Sequence, residues 1–155
     1  MKIKFNLNGK YVEVDAPPNM TLLDLLRRKL LITSVKRGCE KGECGACTVL
    51  VDGKPVYSCL ILAPMIEGRS VITVEYLSRD GSLHPIQEAF VEAGAVQCGF
   101  CTPAFILTAY ALLNKNPKPS KEEVMRAFEG LICRCTGYVK LIKATLLAAE
   151  KIRGK

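Results

Sequence analysis

Eight cysteines carry the clearest chemistry in this chain, and they fall into two sets. Cys39, Cys44, Cys47 and Cys59 are spaced C-x4-C-x2-C-x11-C; Cys98, Cys101, Cys133 and Cys135 are spaced C-x2-C-x31-C-x1-C. Four thiolates per set is the donor count of an iron–sulfur cluster or of a structural zinc ion. No secretory signal is visible: Met1–Gly9 alternates apolar and polar residues and then turns. The chain therefore reads as cytoplasmic, where thiols stay reduced and eight of them argue for metal over disulfides.

The C-x4-C-x2-C order of the first set is that of plant-type [2Fe–2S] sites. Gly38, Gly42 and Gly45 interleave its first three cysteines. A short loop that wraps a cluster must aim N–H groups at sulfur and keep Cβ atoms out of the way. Those hydrogen bonds stabilise the anionic cluster and tune its potential. In the second set each pair stands before an expected helix start, Cys101 before Thr102-Pro103 and Cys135 before Thr136. Two helix N-termini would then offer partial positive charge and free N–H groups to one anionic centre. On spacing alone, a four-thiolate zinc site stays open for this second set.

The elements that must position these sets divide the chain near residue 80. Strands are expected at Lys2–Leu7 and Lys10–Val14 around the Asn8-Gly9 turn, and at Thr48–Val51 and Pro55–Tyr57 around Asp52-Gly53. Val71–Glu75 reads as a further strand. Thr21 opens a helix whose stripe is Leu22, Leu23, Leu25, Leu26 and Leu30. After a turn-rich linker, four helices follow. They are Pro85–Ala93, Pro103–Asn114 capped by Thr102, Lys121–Glu129 capped by Ser120 with Glu123, and Gly137–Ile152 behind Thr136. The fold class is α+β: a domain over 1–76 built on a small mixed sheet, a linker over 77–83, and an all-α four-helix bundle over 84–155. Only the extreme C-terminus, 151–155, reads as unstructured.

The net charge is +7. Two clusters, each about −2 with its four thiolates, bring it to about +3. The basic residues are scattered and no basic–aromatic stripe exists, so a nucleic-acid partner is not expected. No apolar run reaches the roughly 18 residues of a membrane span. His84 is the only histidine, which excludes a Rieske centre with its two histidines. It reads as a helix cap, and no catalytic residue is assigned to this chain. Met65 and Met125 read as core, Glu40 and Glu43 as solvent-facing loop charges. Arg134 sits between two candidate ligands, and Tyr138 is expected to pack beside them.

Three ordered motifs resemble one family. Gly38–Cys47, Gln97-Cys-Gly-Phe-Cys-Thr-Pro103 and Cys133-Arg-Cys-Thr-Gly-Tyr138, with Leu83–Phe90 before the second set, resemble the iron–sulfur subunit of the molybdenum hydroxylases. That group includes xanthine dehydrogenases, aldehyde oxidoreductases, aerobic carbon monoxide dehydrogenases and hydroxybenzoyl-CoA reductases. The resemblance implies a ferredoxin-like β-grasp domain followed by a helical domain, each with one [2Fe–2S] cluster. It implies a large subunit with molybdopterin and a medium subunit with FAD as partners. Electrons would pass from molybdenum to the helical-domain cluster, then to the β-grasp cluster, then to FAD, with no substrate chemistry on this chain. Gln97 and Cys135 would lie against the pterin. A free-standing two-cluster carrier is the alternative, and a zinc-stabilised interaction module a third reading. Ala104 stands where the family usually has Gly, and Leu131 where it usually has Asn.

Overall fold

The computed structural model describes residues 1–78 and 80–154. Five strands form one mixed sheet: β1 (Lys2–Leu7), β2 (Lys10–Asp15), β3 (Thr48–Val51), β4 (Lys54–Tyr57) and β5 (Ser70–Ile72), in the order β2-β1-β5-β3-β4. β1 pairs antiparallel with β2 and parallel with β5, and β3 pairs antiparallel with β4 and β5. Both predicted hairpin turns carry the positive φ that their sequences favour, Asn8-Gly9 at 52° and 82° and Asp52-Gly53 at 49° and 77°.

The predicted β5 is too long. Asn8 Oδ1 takes the Thr73 N–H at 2.8 Å, which ends the ladder, and the chain then winds into a 3₁₀ turn over Val74–Ser78. The first helix, α1 (Leu22–Asp24), widens at once into a π turn over Leu25–Lys29. Thr21 caps it as expected, its hydroxyl accepting from Asp24 N–H at 3.1 Å. Leu22, Leu23, Leu25 and Leu26 are all buried against Ile3, Phe5, Val49 and Ile66. A sheet wrapped on one short helix is the β-grasp arrangement that the family resemblance implied.

The second half holds α2 (Pro85–Glu92), α3 (Thr102–Lys115), α4 (Lys121–Ala127) and α5 (Val139–Arg153) around Phe90, Phe105, Leu113, Val124 and Leu141. Ser120 and Glu123 form the predicted capping box at 3.2 and 2.7 Å. His84 caps α2: Ile86 N–H donates to His84 Nδ1 at 3.2 Å, and His84 N–H donates to Gln87 Oε1 at 2.9 Å. Two predicted helix starts are corrected. Thr102 lies inside α3 and does not cap it, because the Cys101 carbonyl already accepts from Ala104 and Phe105 N–H. α5 begins at Val139, because Tyr138 adopts φ 72° and ψ −33°, which no helix accommodates. α5 also continues to Arg153, so residues 151–153 are helical rather than unstructured. Arg79, within the expected linker, and Lys155 lie outside the described residues. Met65 and Met125, expected in the core, are 58% and 49% exposed. No described helix is long and apolar enough to cross a membrane.

Candidate metal centres

The loop between α1 and β3 presents the first three cysteines. Three amides converge on Cys39 Sγ: Lys41 and Glu43 N–H at 3.3 Å and Cys44 N–H at 3.4 Å. The N–H of Cys39 in turn donates to Cys44 Sγ at 3.4 Å. Glu40, Gly42 and Gly45 take φ of 55°, 78° and 69°, the left-handed turns that aim these amides inward. The loop is braced from outside. Arg37 bridges Asp24 and Glu40, Arg28 Nε meets Asp24 at 3.1 Å, and Arg27 donates to the Thr33 and Val35 carbonyls. Glu40 is thus a bracing partner and not merely a solvated charge. Cys59 arrives from the turn after β4.

The cysteines approach in pairs. Cys39 lies beside Cys44, Cys59 beside Cys47, Cys101 beside Cys133, and Cys135 beside Cys98. Among the described residues no three metal-ligating side chains close on a single ion position. Two pairs per set match a two-iron cluster, in which each iron takes two thiolates. The donor chemistry fits [2Fe–2S] at both places: Cys39, Cys44, Cys47 and Cys59 would hold one cluster and Cys98, Cys101, Cys133 and Cys135 the other.

Local fields differ between the sulfurs. The Lys41, Cys44 and Glu43 amides pull the Cys39 thiol down to about 6. Burial, with the Cys47 thiol beside it, pushes Cys59 up to about 11. Burial and the Cys133 thiol push Cys101 up to about 12. Burial opposes ionisation at Cys133 too, but the Thr136 hydroxyl, the Thr136 amide and the Cys135 amide outweigh it and hold that thiol below its ordinary value.

The two sets open on one cleft of ≈ 280 Å³, lined by Cys39, Cys44, Cys98, Cys101, Cys133 and Cys135 among others. The seam between the halves is tight. Ile132 N–H donates to the Cys44 carbonyl at 3.0 Å, Tyr57 Oη donates to the Gly130 carbonyl at 3.0 Å, and Leu131 packs on Gly45. Burial first, and then the negative charge of the first-set thiolates, raises the pKa of Tyr57, so it stays a donor. Cys98, Cys135 and Gln97 are exposed on the outer side, where Gln97 Nε2 donates to the Cys135 carbonyl at 3.4 Å. Arg134 is also exposed, and among the described residues it forms no ion pair. Tyr138 does pack near the second set: its Oη accepts the Cys133 N–H at 3.1 Å.

A family profile described as a 2Fe-2S iron-sulfur cluster binding domain matches residues 5–76, and one described as a [2Fe-2S] binding domain matches residues 73–146. The nicotinate dehydrogenase small FeS subunit of Eubacterium barkeri is 51% identical over 149 residues, 96% of this chain and 95% of that one. The chain belongs to the iron–sulfur small subunits of the molybdenum hydroxylases. Within the family, the xanthine dehydrogenase iron-sulfur-binding subunit of Escherichia coli O157:H7 is 46% identical over 153 residues, 97% of this chain and 95% of that one. The crystal structure of the aldehyde oxidoreductase from Desulfovibrio desulfuricans ATCC 27774 superposes with a TM-score of 0.96 at 47% identity. It covers 99% of this chain, which spans 17% of that longer protein. Two [2Fe–2S]-binding domains and membership of a multi-subunit oxidoreductase follow from these matches.

Sequence reasoning singled out the eight cysteines as candidate ligands and did not single out three residues that bond to them or join the halves beside them. Thr136 reaches back to Cys133 Sγ at 3.1 Å, Tyr57 ties the halves together, and Ile132 bonds the backbone of Cys44. Thr136 stood beside a ligand and was visible as a local hydroxyl. Tyr57 and Ile132 act across long sequence separations that no local pattern reveals.

Proposed function

We propose that this chain relays single electrons from a molybdopterin site on a large subunit to FAD on a medium subunit. The helical half receives them and the β-grasp half passes them on. The observation that carries this reading is the shared cleft, with Cys44 joined to Ile132 by one backbone hydrogen bond. Ile132 is the neighbour of Cys133, so ligands of the two sets are linked through few covalent bonds and one short polar contact. When bound, each [2Fe–2S] cluster supplies a one-electron redox couple. The chain's own residues hold it and tune it: three amides donate to Cys39, and the Thr136 N–H donates to Cys133 Sγ.

The outer side of the second set supports a partner there. Phe100 and Ile132 are exposed apolar residues that line the cleft with Cys98 and Cys135, an arrangement that calls for a covering surface. Gln97, exposed and already bonded to Cys135, offers an amide to a pterin edge, and Cys135 offers its sulfur. Met65, Leu60 and Leu62 form a second exposed apolar group near Cys59, suited to the FAD subunit. The boundaries 1–76 and 84–155, and a cytoplasmic setting in which all eight thiols stay free, belong to the same reading.

Anaerobic purification tests it. Iron and acid-labile sulfide are expected at about four each per chain, with a red-brown colour that bleaches on reduction. A molybdopterin chain and an FAD chain are expected to co-purify. A colourless protein with two zinc ions and no sulfide overturns the clusters. A red-brown monomer without partners in cell extract overturns the relay in favour of a free-standing carrier.

A further inference from the structure

The loop Cys133–Tyr138 contains a contact that ligand spacing does not require. The Thr136 hydroxyl lies 3.1 Å from Cys133 Sγ, and the Thr136 N–H reaches the same sulfur at 3.4 Å. With a protonated thiol either oxygen or sulfur could donate. An iron-bound thiolate carries no proton, so there only Thr136 can donate. Among the described residues, Thr136 supplies the one side-chain hydroxyl bonded to a cysteine sulfur; Cys39 and Cys44 take backbone amides.

The backbone holds Thr136 in place at a conformational expense. Val139 N–H donates to the Gly137 carbonyl at 2.9 Å, closing a three-residue turn across Tyr138 at φ 72° and ψ −33°. Such positive-φ γ-turns are rare and strained, more so for a bulky residue. The Tyr138 side chain anchors the turn. Its hydroxyl accepts the Cys133 N–H at 3.1 Å, and its ring meets Phe105 edge-on at 6.3 Å. Cys133 is thereby tied to the loop twice, through sulfur to Thr136 and through nitrogen to Tyr138.

We propose that Thr136 sets the reduction potential of the second cluster by donating its O–H to the Cys133 thiolate. This deepens the relay reading and rests on it. Reduction adds one electron; no bond breaks and no proton leaves Thr136. The added charge spreads partly onto the thiolates, so a hydrogen-bond donor stabilises the reduced state more than the oxidised one and raises the potential. The two backbone donors at Cys133 survive any substitution at residue 136 that keeps the turn, whereas the hydroxyl is a property of the side chain. Thr136 is a positioning residue for charge, not a ligand.

The test is a dithionite titration of the full two-cluster chain, followed by EPR, with Thr136→Val and Thr136→Ser beside the unmodified protein. Valine keeps the shape and removes the donor; serine keeps the donor. The valine variant is expected to lower the equilibrium constant for reducing the second cluster by about threefold to tenfold. Tenfold corresponds to 59 mV toward more negative potential for a one-electron couple. The serine variant is expected to hold the original potential, and the first cluster is expected to stay unchanged in both. In the unmodified reduced chain, a deuteron coupled to the second cluster is expected within the mixing time of D₂O, faster than buried amides exchange. The absence of such a deuteron overturns the proposal even if the valine variant does not load its second cluster, and its loss in the valine variant, where that variant loads, separates the hydroxyl from solvent near the exposed Cys98 and Cys135. Normal signals with an unmoved potential in the valine variant, a serine variant that shifts like valine, or no rapidly exchanging deuteron each overturn the proposal alone. An unmodified chain with no [2Fe–2S] signal overturns the relay reading as well.

Discussion

Gly45→Ala puts a methyl group into the seam between the halves. At φ 69° an L residue is strained by about 1–2 kcal/mol. A Cβ there would also lie 2.4 Å from Leu131 Cδ2 and 2.7 Å from the Gly130 carbonyl oxygen. Leu131 is 6% exposed and cannot swing into solvent, so overpacking adds about 1–3 kcal/mol. The total is about 2–5 kcal/mol, which lowers Tm by about 2–4 °C per kcal/mol in a protein of this size. Melting of the cluster-loaded chain, followed by far-UV circular dichroism, measures it. Leu131→Ala alone should cost about 2–5 kcal/mol for its cavity, yet it also clears space for the Gly45 methyl. The double variant is therefore expected to be more stable than the sum of the two losses by about 1 kcal/mol or more. A single variant within about 0.5 kcal/mol of the original, or strict additivity to that margin, refutes the seam argument.

Cys44→Ser is expected to remove the first cluster's reduced-state EPR signal and leave the second, since the four sulfurs of each set are distinct; loss of both signals would show that the sites depend on each other. Tyr57→Phe removes the bond to the Gly130 carbonyl and should cost about 0.5–1.5 kcal/mol in urea unfolding, without altering iron content. Arg37→Lys replaces a fork that bridges Asp24 and Glu40 with a single point charge, so the first cluster should be lost faster to a chelator while the second is lost at its original rate, as read by the two EPR signals.

What the sequence disclosed was local. The two Asx-Gly hairpins and the Ser120–Glu123 box are each set within a few residues, and each lies where the pattern put it. Helix starts beside the second set were misread because a threonine before a helical stretch looks like a cap. The Cys101 carbonyl takes that role instead, and Tyr138 breaks the start of α5. The π turn at Leu25–Lys29 has no signature in a leucine stripe, which reads the same at either pitch. Met65 and Met125 were assigned to the core from side-chain polarity alone, yet an apolar residue can equally face a partner. Ala104 is harmless, buried within α3. Leu131, the other departure from the family pattern, packs on Gly45 and forms the wall of the seam, a contact readable only in three dimensions.

The bond from Ile132 to Cys44 also bears on how the protein is made. The loop around the first three cysteines emerges from the ribosome long before residues 130–132, which complete its outer side. Until the helical half has been translated and docked, Cys44 lacks that backbone partner, Gly45 stands open to solvent and the Tyr57 hydroxyl has no carbonyl to meet. Iron delivered to a nascent chain would enter an unfinished site. The fold therefore favours loading the first cluster after synthesis ends, which makes the last quarter of the chain a checkpoint for a cofactor bound in the first half.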